Sequence, residues 1–285
     1  IPLGYSNVGI VAESNVSDFS AGDRVISNGS HSEYVSVPKN LTAKIPDNVD
    51  DVSASFTVLG SIGLQGIRLL EPKLGESVVV YGLGLIGLLS CQILEANGCD
   101  VIGIDIDPIK CNVAKKIGIK VIQSDEIESV ISEVRQITNN YGADSILITA
   151  KTSNNDIIHA SAEMCKKKGK IVLIGDIGLN LDRNDFYEKE ISFQVSSSYG
   201  PGRYDPIYEQ KNIDYPYAYV RWTAQRNFDA ILKLMSLGKI KVENLITNEY
   251  PLDKILEAYD SVKDPKTLGT IINYHSNKNH INENK

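Results

Sequence analysis

The sequence predicts an α/β protein with a six-stranded, doubly wound parallel sheet. Between about residues 61 and 196, six apolar segments alternate with stretches of helical periodicity. Most of these segments are continuous apolar runs, as is typical of strands covered on both faces. Glycines also stand where the intervening helices should end, at Asn97-Gly98, Gly118 and Gly169. Together these observations favour a Rossmann-type sheet.

The individual elements follow from the same patterns. The predicted strands are SVVVYG, DVIGID, KVIQ, DSILITA, KIVLIG and EISFQVS. The helices predicted between the first five are LIGLLSCQILEANG, PIKCNVAKKIG, EIESVISEVRQITNN and DIIHASAEMCKKKG. A strand, a crossover helix and the next strand therefore recur along this region, which is the repeat of a parallel sheet.

The regions on either side of the predicted sheet have different sequence patterns. Before about residue 56, short strand-like runs (YSNVGIVAES, GDRVIS and SEYVSVP) alternate with turn residues, which predicts an antiparallel or barrel-like piece. After residue 198 come a Tyr-rich segment and helices near TAQRNFDAILKLMSLG and PLDKILEAYDSV. A last strand, TLGTIINY, precedes a polar tail. We predict domains over 1–60, 61–198 and 199–275, with the tail over 276–285.

Composition restricts the class of protein. The net charge of -7 argues against nucleic acid as a partner, and no apolar run approaches the ~20 residues that span a bilayer, so we expect no membrane partner. The four cysteines form no CxxC pair, which favours buried free thiols and a cytoplasmic location. Because the chain starts without Met in strand-like sequence, we expect a fragment whose amino-terminal part is missing.

A glycine motif predicts a dinucleotide site. Gly82, Gly84 and Gly87 form G-x-G-x-x-G directly between a predicted strand and a predicted helix. The first glycine permits a tight turn, the second lets the backbone approach a pyrophosphate, and the third lets the helix pack closely on the strand. The N–H groups of the helix N-terminus, including those of Leu85 and Ile86, would face the phosphates.

A carboxylate near this motif bears on the identity of the cofactor. Asp105 ends the second strand 18 residues after Gly87, where it would accept hydrogen bonds from the adenosine ribose. Ile106 follows it, and no arginine or lysine stands beside it to hold a 2′-phosphate, so NAD is favoured over NADP. Lys110, one helical turn further, either reaches the ribose or is a solvated lysine.

Residues after the fourth and fifth strands complete the predicted cofactor cleft. Ligands of open α/β sheets bind outside the carboxyl ends of the strands. We therefore expect these residues to line the cleft, mostly through their backbone: Ala150, Ile174, Gly175 and Asp176.

The order of parts resembles the medium-chain dehydrogenase/reductase superfamily. A strand-rich piece with GDRV and SEYV precedes the GxGxxG region, and a return segment follows. The stretches GDIGL, FYEKE and SYGPGRYDP are more narrowly similar to the dehydrogenase half of bi-domain oxidoreductases of bacterial surface polysaccharide synthesis. The resemblance implies a subunit with a GroES-like catalytic domain, of which residues 1–60 would be the end, and hydride transfer to or from a sugar-like substrate.

Three departures from that family pattern concern zinc. Zinc-dependent members carry Gly-His-Glu where this chain has Gly4-Tyr5-Ser6, so Tyr5 replaces a histidine ligand. Thr57 stands at the position of another ligand, 25 residues before Gly82, and neither Tyr nor Thr is an ordinary zinc ligand. The four-cysteine lobe that follows GDRV in many members is also missing. We therefore predict no metal, and His31 in the short loop is predicted to be structural.

Without zinc, hydrogen-bond donors must stabilise charge on the substrate oxygen. The resemblance puts four hydroxyl groups near the nicotinamide, although each is equally well explained as a packed polar side chain. These candidates for catalysis are Tyr5, Ser6, Thr57 and Ser61.

The Tyr-rich segment, residues 198–222, holds six of the fourteen tyrosines and the only tryptophan. Long loops in compact domains are usually functional, and rings with polar tips suit the wall of a sugar site. Tyr199, Arg203 and Tyr204 are the predicted substrate contacts. The same residue types also favour a dimer interface, and the two interpretations remain open.

Two functional classes follow. The first is a zinc-independent, NAD-dependent oxidoreductase of a sugar-like molecule, expected to be a homo-oligomer and associated with a second oxidoreductase domain. The second is a catalytically inactive nucleotide-binding module that assembles with or regulates a partner oxidoreductase.

Overall fold

The computed structural model describes residues 3–274. Its amino-terminal region contains a three-stranded antiparallel sheet in the order β1-β2-β3. The strands are β1 (Asn7–Ile10), β2 (Arg24–Ser27) and β3 (Thr42–Lys44). The predicted strand SEYVSVP is absent, since residues 32–38 form bends and irregular structure; Tyr34 within it is 83% exposed. β3 follows it instead.

Two helices lead from this sheet into the central region, α1 (Asp51–Ala54) and α2 (Thr57–Leu70). The side chain of Asp50 caps α1 by accepting a hydrogen bond from the Ser53 N–H. The predicted domain boundary between residues 60 and 61 falls inside α2.

The predicted six-stranded parallel sheet is confirmed, with the strand order β6-β5-β4-β7-β8-β9. Its strands are β4 (Ser77–Tyr81), β5 (Asp100–Asp105), β6 (Lys120–Gln123), β7 (Ala143–Ile148), β8 (Cys165–Leu173) and β9 (Ser192–Val195). The first strand of the unit lies in the middle and the order reverses between β4 and β7, which is the Rossmann arrangement.

The helices around the sheet agree with the sequence pattern in most places. They are α3 (Leu85–Ala96), α4 (Pro108–Lys116), α5 (Ile127–Ile137), α6 (Asp156–Met164) and α7 (Arg183–Tyr187). Gly98 and Gly118 follow α3 and α4 with φ of 81° and 95°, as expected for helix ends. Buried aliphatic side chains of the strands, including Val79, Ile104 and Ile146, form the core.

One helix end was predicted wrongly. The pattern placed Gly169 after a helix that runs through CKKKG, but α6 ends at Met164 and β8 begins at Cys165. Lys166 forms an ion pair with Asp144, and Lys168 with Glu190 at 3.1 Å, so these lysines bond to neighbouring segments of the sheet. Tertiary contacts thus override the helical propensity of lysine here.

The Tyr-rich segment contains α8 (Pro206–Gln210) and leads to α9 (Ala224–Ser236). Residues 3–241 form one compact unit. Residues 242–274 form a second unit, in which α10 (Ile255–Ser261) connects the parallel strands β10 (Ile246–Pro251) and β11 (Gly269–Asn273). β10 was not predicted.

Two further predictions from the sequence concern membrane-spanning helices and the polar tail. No helix between residues 3 and 274 combines the length and apolarity that a bilayer crossing requires. The polar tail predicted over 276–285 lies outside the described residues.

Candidate active site

The glycine motif forms the turn between β4 and α3 at the carboxyl edge of the sheet. Gly82 has φ of +103°, which an L side chain rarely adopts. A Cβ on Gly87 would lie 2.0 Å from the Gly82 carbonyl oxygen and 2.8 Å from the Thr149 hydroxyl. The fold itself therefore requires glycine at both positions.

Gly84 is different, because nothing in the protein explains the absence of a side chain. Its φ of -66° suits any residue, and a Cβ built there meets no atom within 4 Å. No side chain caps α3 at this end, so its first N–H groups, including those of Leu85 and Ile86, are left for another acceptor. Both facts fit a phosphate group held against the backbone.

Asp105 lies beside the same turn at the end of β5. Its two carboxylate oxygens accept hydrogen bonds from the backbone N–H of Leu83 at 2.7 Å and of Asp107 at 2.9 Å. These bonds fix the carboxylate, and each oxygen retains a lone pair for a ribose hydroxyl. The position fits the predicted ribose contact.

The two other predicted residues after β5 occupy different environments. Ile106 is 66% exposed. The Lys110 ammonium lies 3.7 Å from the carboxylate of Asp107, which caps α4 through the Ile109 N–H. Lys110 is therefore already partnered by Asp107.

The ends of β7 and β8, where the sequence predicts the lining of the cofactor cleft, lie against the glycine turn. A Cβ on Gly82 would lie 2.6 Å from the Ala150 nitrogen, and one on Gly175 would lie 2.0 Å from the Ala150 oxygen. The Asp176 N–H donates to the same oxygen at 3.0 Å. The Ile174 side chain packs against Gly66 of α2, so only its backbone is available at the edge.

A role for Thr149 was not predicted from the sequence. Its hydroxyl donates a hydrogen bond of 2.6 Å to the Gly82 carbonyl oxygen, and its backbone N–H donates to the Tyr81 oxygen at 2.9 Å. Thr149 thus links the end of β7 to the glycine turn. A threonine after an apolar strand is too common to have been recognised as a positioning residue.

Of the four hydroxyl candidates for catalysis, two lie on the surface near the start of α2. Tyr5 is 50% exposed. The Ser6 hydroxyl donates to the Ser55 carbonyl oxygen at 2.6 Å, which fixes this strand against the turn before α2. The preceding Gly4 has φ of +82° and lies against the imidazole ring of His31.

The other two candidates are fully buried. Thr57 and Ser61 have no exposed surface. The Ser61 hydroxyl donates to the Thr57 carbonyl oxygen at 2.8 Å, and the Thr57 hydroxyl lies 3.9 Å from the Met235 sulfur of α9. Because both hydroxyls face the packed helices, Thr57 and Ser61 are not among the proposed catalytic residues.

The first half of the Tyr-rich segment packs against the amino-terminal sheet region. Tyr199, predicted to contact substrate, is only 2% exposed; its ring packs on Phe228 at 5.2 Å between centroids, and its hydroxyl accepts a hydrogen bond from Asn28. This is the environment of a core tyrosine, so Tyr199 is not among the proposed substrate contacts. Tyr208 is buried likewise and bonds to Asn40.

Arg203 and Tyr204 are at the surface of the same turn. Tyr204 is 67% exposed and has φ of +67°. The Arg203 guanidinium lies 4.1 Å from the centre of the Tyr204 ring and pairs with Glu209 at 2.6 Å. Glu209 also accepts the Tyr204 N–H at 2.9 Å, so the turn holds both side chains in place.

No group of three His, Cys, Asp or Glu side chains able to hold a metal occurs within residues 3–274. The four cysteines are buried free thiols, and burial raises the pKa of Cys165 to about 12 and of Cys111 to about 11. They therefore remain protonated at neutral pH and are not nucleophiles.

The strand order, the glycine turn and the carboxylate at the end of β5 define the class of dinucleotide-binding α/β proteins. Residues 86–211 match a family model described as zinc-binding dehydrogenase. The chain is 26% identical over 257 residues to sorbitol dehydrogenase of Halalkalibacterium halodurans, covering 86% of this chain and 65% of that protein.

Solved structures share this fold. The 2R,3R-butanediol dehydrogenase of Bacillus subtilis superposes with a TM-score of 0.77 at 20% identity, covering 95% of this chain and 80% of the other. Mycobacterial Rv1454c, solved with NADPH, gives 0.74 at 20% identity, covering 94% and 81%. These similarities confirm the resemblance to the medium-chain dehydrogenase/reductase superfamily. The chain spans about two thirds of the length of the sorbitol dehydrogenase that it matches.

Proposed function

We propose that this protein is a zinc-independent, NAD-dependent oxidoreductase that transfers hydride between the nicotinamide and a hydroxyl or carbonyl of a sugar-like substrate. The observation that supports it most strongly is the open position at Gly84 beside the fixed Asp105 carboxylate. The relative named for sorbitol supports a polyol or sugar as the substrate class. The similarity of the Tyr-rich segment to oxidoreductases of surface polysaccharide synthesis motivates the proposed cellular role.

In this proposal the residues of the cleft have separate tasks. The N–H groups of Leu85 and Ile86 bind the pyrophosphate, and Asp105 accepts hydrogen bonds from the ribose. The backbone of Ala150, Gly175 and Asp176 lines the cleft. A bound nicotinamide would supply the hydride acceptor.

The Tyr5 hydroxyl is the proposed donor to the substrate oxygen, where it would stabilise developing negative charge. Ser6 acts through Tyr5, because its bond to Ser55 fixes the backbone from which Tyr5 extends. Arg203 and Tyr204 form the proposed outer wall of the substrate site.

Turnover distinguishes this proposal from an inactive nucleotide-binding module. The full protein should reduce NAD, followed by NADH absorbance, with at least one member of a panel of polyols, cyclitols and nucleotide sugars. Cofactor binding without turnover across the panel, in both directions of hydride transfer, would favour the module that regulates or assembles with a partner oxidoreductase.

We expect the purified protein to contain no stoichiometric zinc. The reason is that Tyr5 and Thr57 occupy the two ligand positions and neither is an ordinary zinc ligand. Elemental analysis should give well under one zinc per chain, and a chelator should leave the melting temperature unchanged. About one zinc per chain, lost on replacement of Tyr5, would contradict the proposal.

Replacing Tyr204 with alanine should lower kcat/KM for the best sugar-like substrate roughly tenfold while the Kd for NAD stays within about twofold, because only the substrate wall is removed. Tyr219→Ala is the matched control, since Tyr219 is 87% exposed in the same segment.

The interface interpretation gives a different result for Tyr204→Ala. The variant would dissociate in sedimentation experiments, and its activity would recover at high protein concentration. If neither turnover nor the oligomeric state changes, Tyr204 has neither role.

A further inference from the structure

The second half of the Tyr-rich segment forms a groove with the far ends of α2 and α3 and with one side of α9. The groove has a volume of about 830 Å³. Ala96 and Asn97, at the carboxyl end of α3, contribute to its wall, whereas the glycine turn lies at the other end of that helix. A 12-residue helix is about 18 Å long, so this groove is separate from the proposed cofactor site.

Two arginines lie close to one indole ring at this groove. The Arg68 guanidinium lies 3.4 Å and the Arg221 guanidinium 3.7 Å from the centre of the Trp222 ring. Arg221 also lies 4.6 Å from the ring centre of Tyr217. Aromatic faces hold guanidinium groups by cation–π attraction, so the rings position both cations without neutralising them.

The charges of these two arginines have no carboxylate partner in the described part of the chain. Arg68 donates through Nε to the neutral Asn227 side chain at 2.8 Å, and no hydrogen bond or ion pair of the Arg221 guanidinium is present among residues 3–274. Burial and the charge of Arg221 lower the pKa of Arg68 to about 10, which still leaves it charged at neutral pH.

The other charged side chains of the groove do not neutralise the positive charges of Arg68 and Arg221. Arg226 pairs with Asp214, and Glu71 pairs with Lys170. Lys233 and Asp229 are the other charged side chains of the wall. A cationic site therefore remains on a chain whose net charge is -7.

We propose that this groove binds the phosphate group of a small phosphate ester at Arg68 and Arg221. A dianion would relieve the repulsion between two guanidinium groups, and their planar N–H donors match phosphate oxygens. The groove continues along the apolar side chains of Leu64, Ile67 and Ile93, which accommodates the organic part of the ester. The site requires no turnover and does not depend on the proposed function.

The chain provides its own probe, because Trp222 is its only tryptophan. Tryptophan fluorescence is titrated with inorganic phosphate and with glucose 6-phosphate, against sodium chloride at matched ionic strength. We expect a saturable change with both phosphates and none with chloride, and the ester should bind at least as tightly as inorganic phosphate. A change that only follows ionic strength, or binding of inorganic phosphate without the ester, would refute the proposal.

Arg221→Gln should weaken phosphate binding at least tenfold, and Arg221→Lys should weaken it less. Arg183→Gln is the matched control, because Arg183 lies 3.7 Å over the Tyr187 ring with no second arginine beside that ring. Equal affinity in Arg221→Gln and Arg183→Gln would show that the Arg–Trp stack only supports the loop. The titration is repeated with saturating NAD; loss of the Trp222 signal there would assign the phosphate to the cofactor site and overturn the proposal.

Discussion

Gly84→Val should lose dinucleotide binding and keep the fold. The side chain would enter the open space beside the first N–H groups of α3, where the phosphate is proposed to lie. Charge-assisted hydrogen bonds contribute about 1.5–3 kcal/mol each. Loss of two of them therefore weakens NAD binding by more than about a hundredfold.

The stability of the Gly84 variant is the internal control. The φ of -66° at this position suits valine, and a Cβ meets no neighbour. The loss of a favourable N-cap residue costs roughly 1 kcal/mol, so the melting temperature should fall by only a few degrees. Unchanged NAD affinity, measured by calorimetry, would contradict a phosphate site at this turn.

Gly87→Ala should have the opposite effect on stability, because it should destabilise the folded protein itself. The added Cβ would lie 2.0 Å from the Gly82 carbonyl oxygen and close to the Thr149 hydroxyl, and neither the turn nor the helix can move without breaking backbone hydrogen bonds. Overpacking of this kind costs about 3 kcal/mol. The melting temperature should fall by about 5 °C even without cofactor.

The two glycine variants separate the role in the fold from the role in binding. Thermal unfolding of apo Gly87→Ala and Gly84→Val, recorded side by side, should rank Gly87→Ala as much the less stable. If Gly87→Ala unfolds at the same temperature as the unsubstituted protein, the close packing of α3 on the turn is not as described.

The central sheet could be predicted because its signals are local. Continuous apolar runs, Gly98 and Gly118 after helices, and the G-x-G-x-x-G turn each follow from the chemistry of a few adjacent residues. The failure at Gly169 has a tertiary cause, since the lysines before it pair with Asp144 and Glu190. Sequence alone does not reveal such partners.

The candidate site could be predicted only in part, again because some signals are local and others depend on tertiary contacts. Backbone positions of the cofactor cleft follow from where parallel strands end, so Ala150 and Gly175 were predicted to line the cleft through their backbone, and the structure places both beside the glycine turn. Side chains in irregular segments depend on distant contacts. Tyr199 was expected to face a ligand, but Phe228 and Asn28 hold it in the interior. The arginine pair at Trp222 likewise required the packing of α2 to be known.

Asp105 is the residue proposed to select NAD over NADP. The most direct test is calorimetric titration of the unsubstituted protein with NADH and with NADPH. We expect NADH to bind at least roughly tenfold more tightly, a difference of about 1.4 kcal/mol, because a 2′-phosphate would face the Asp105 carboxylate. Equal affinities, or tighter binding of NADPH, would contradict the assignment of this carboxylate to the ribose.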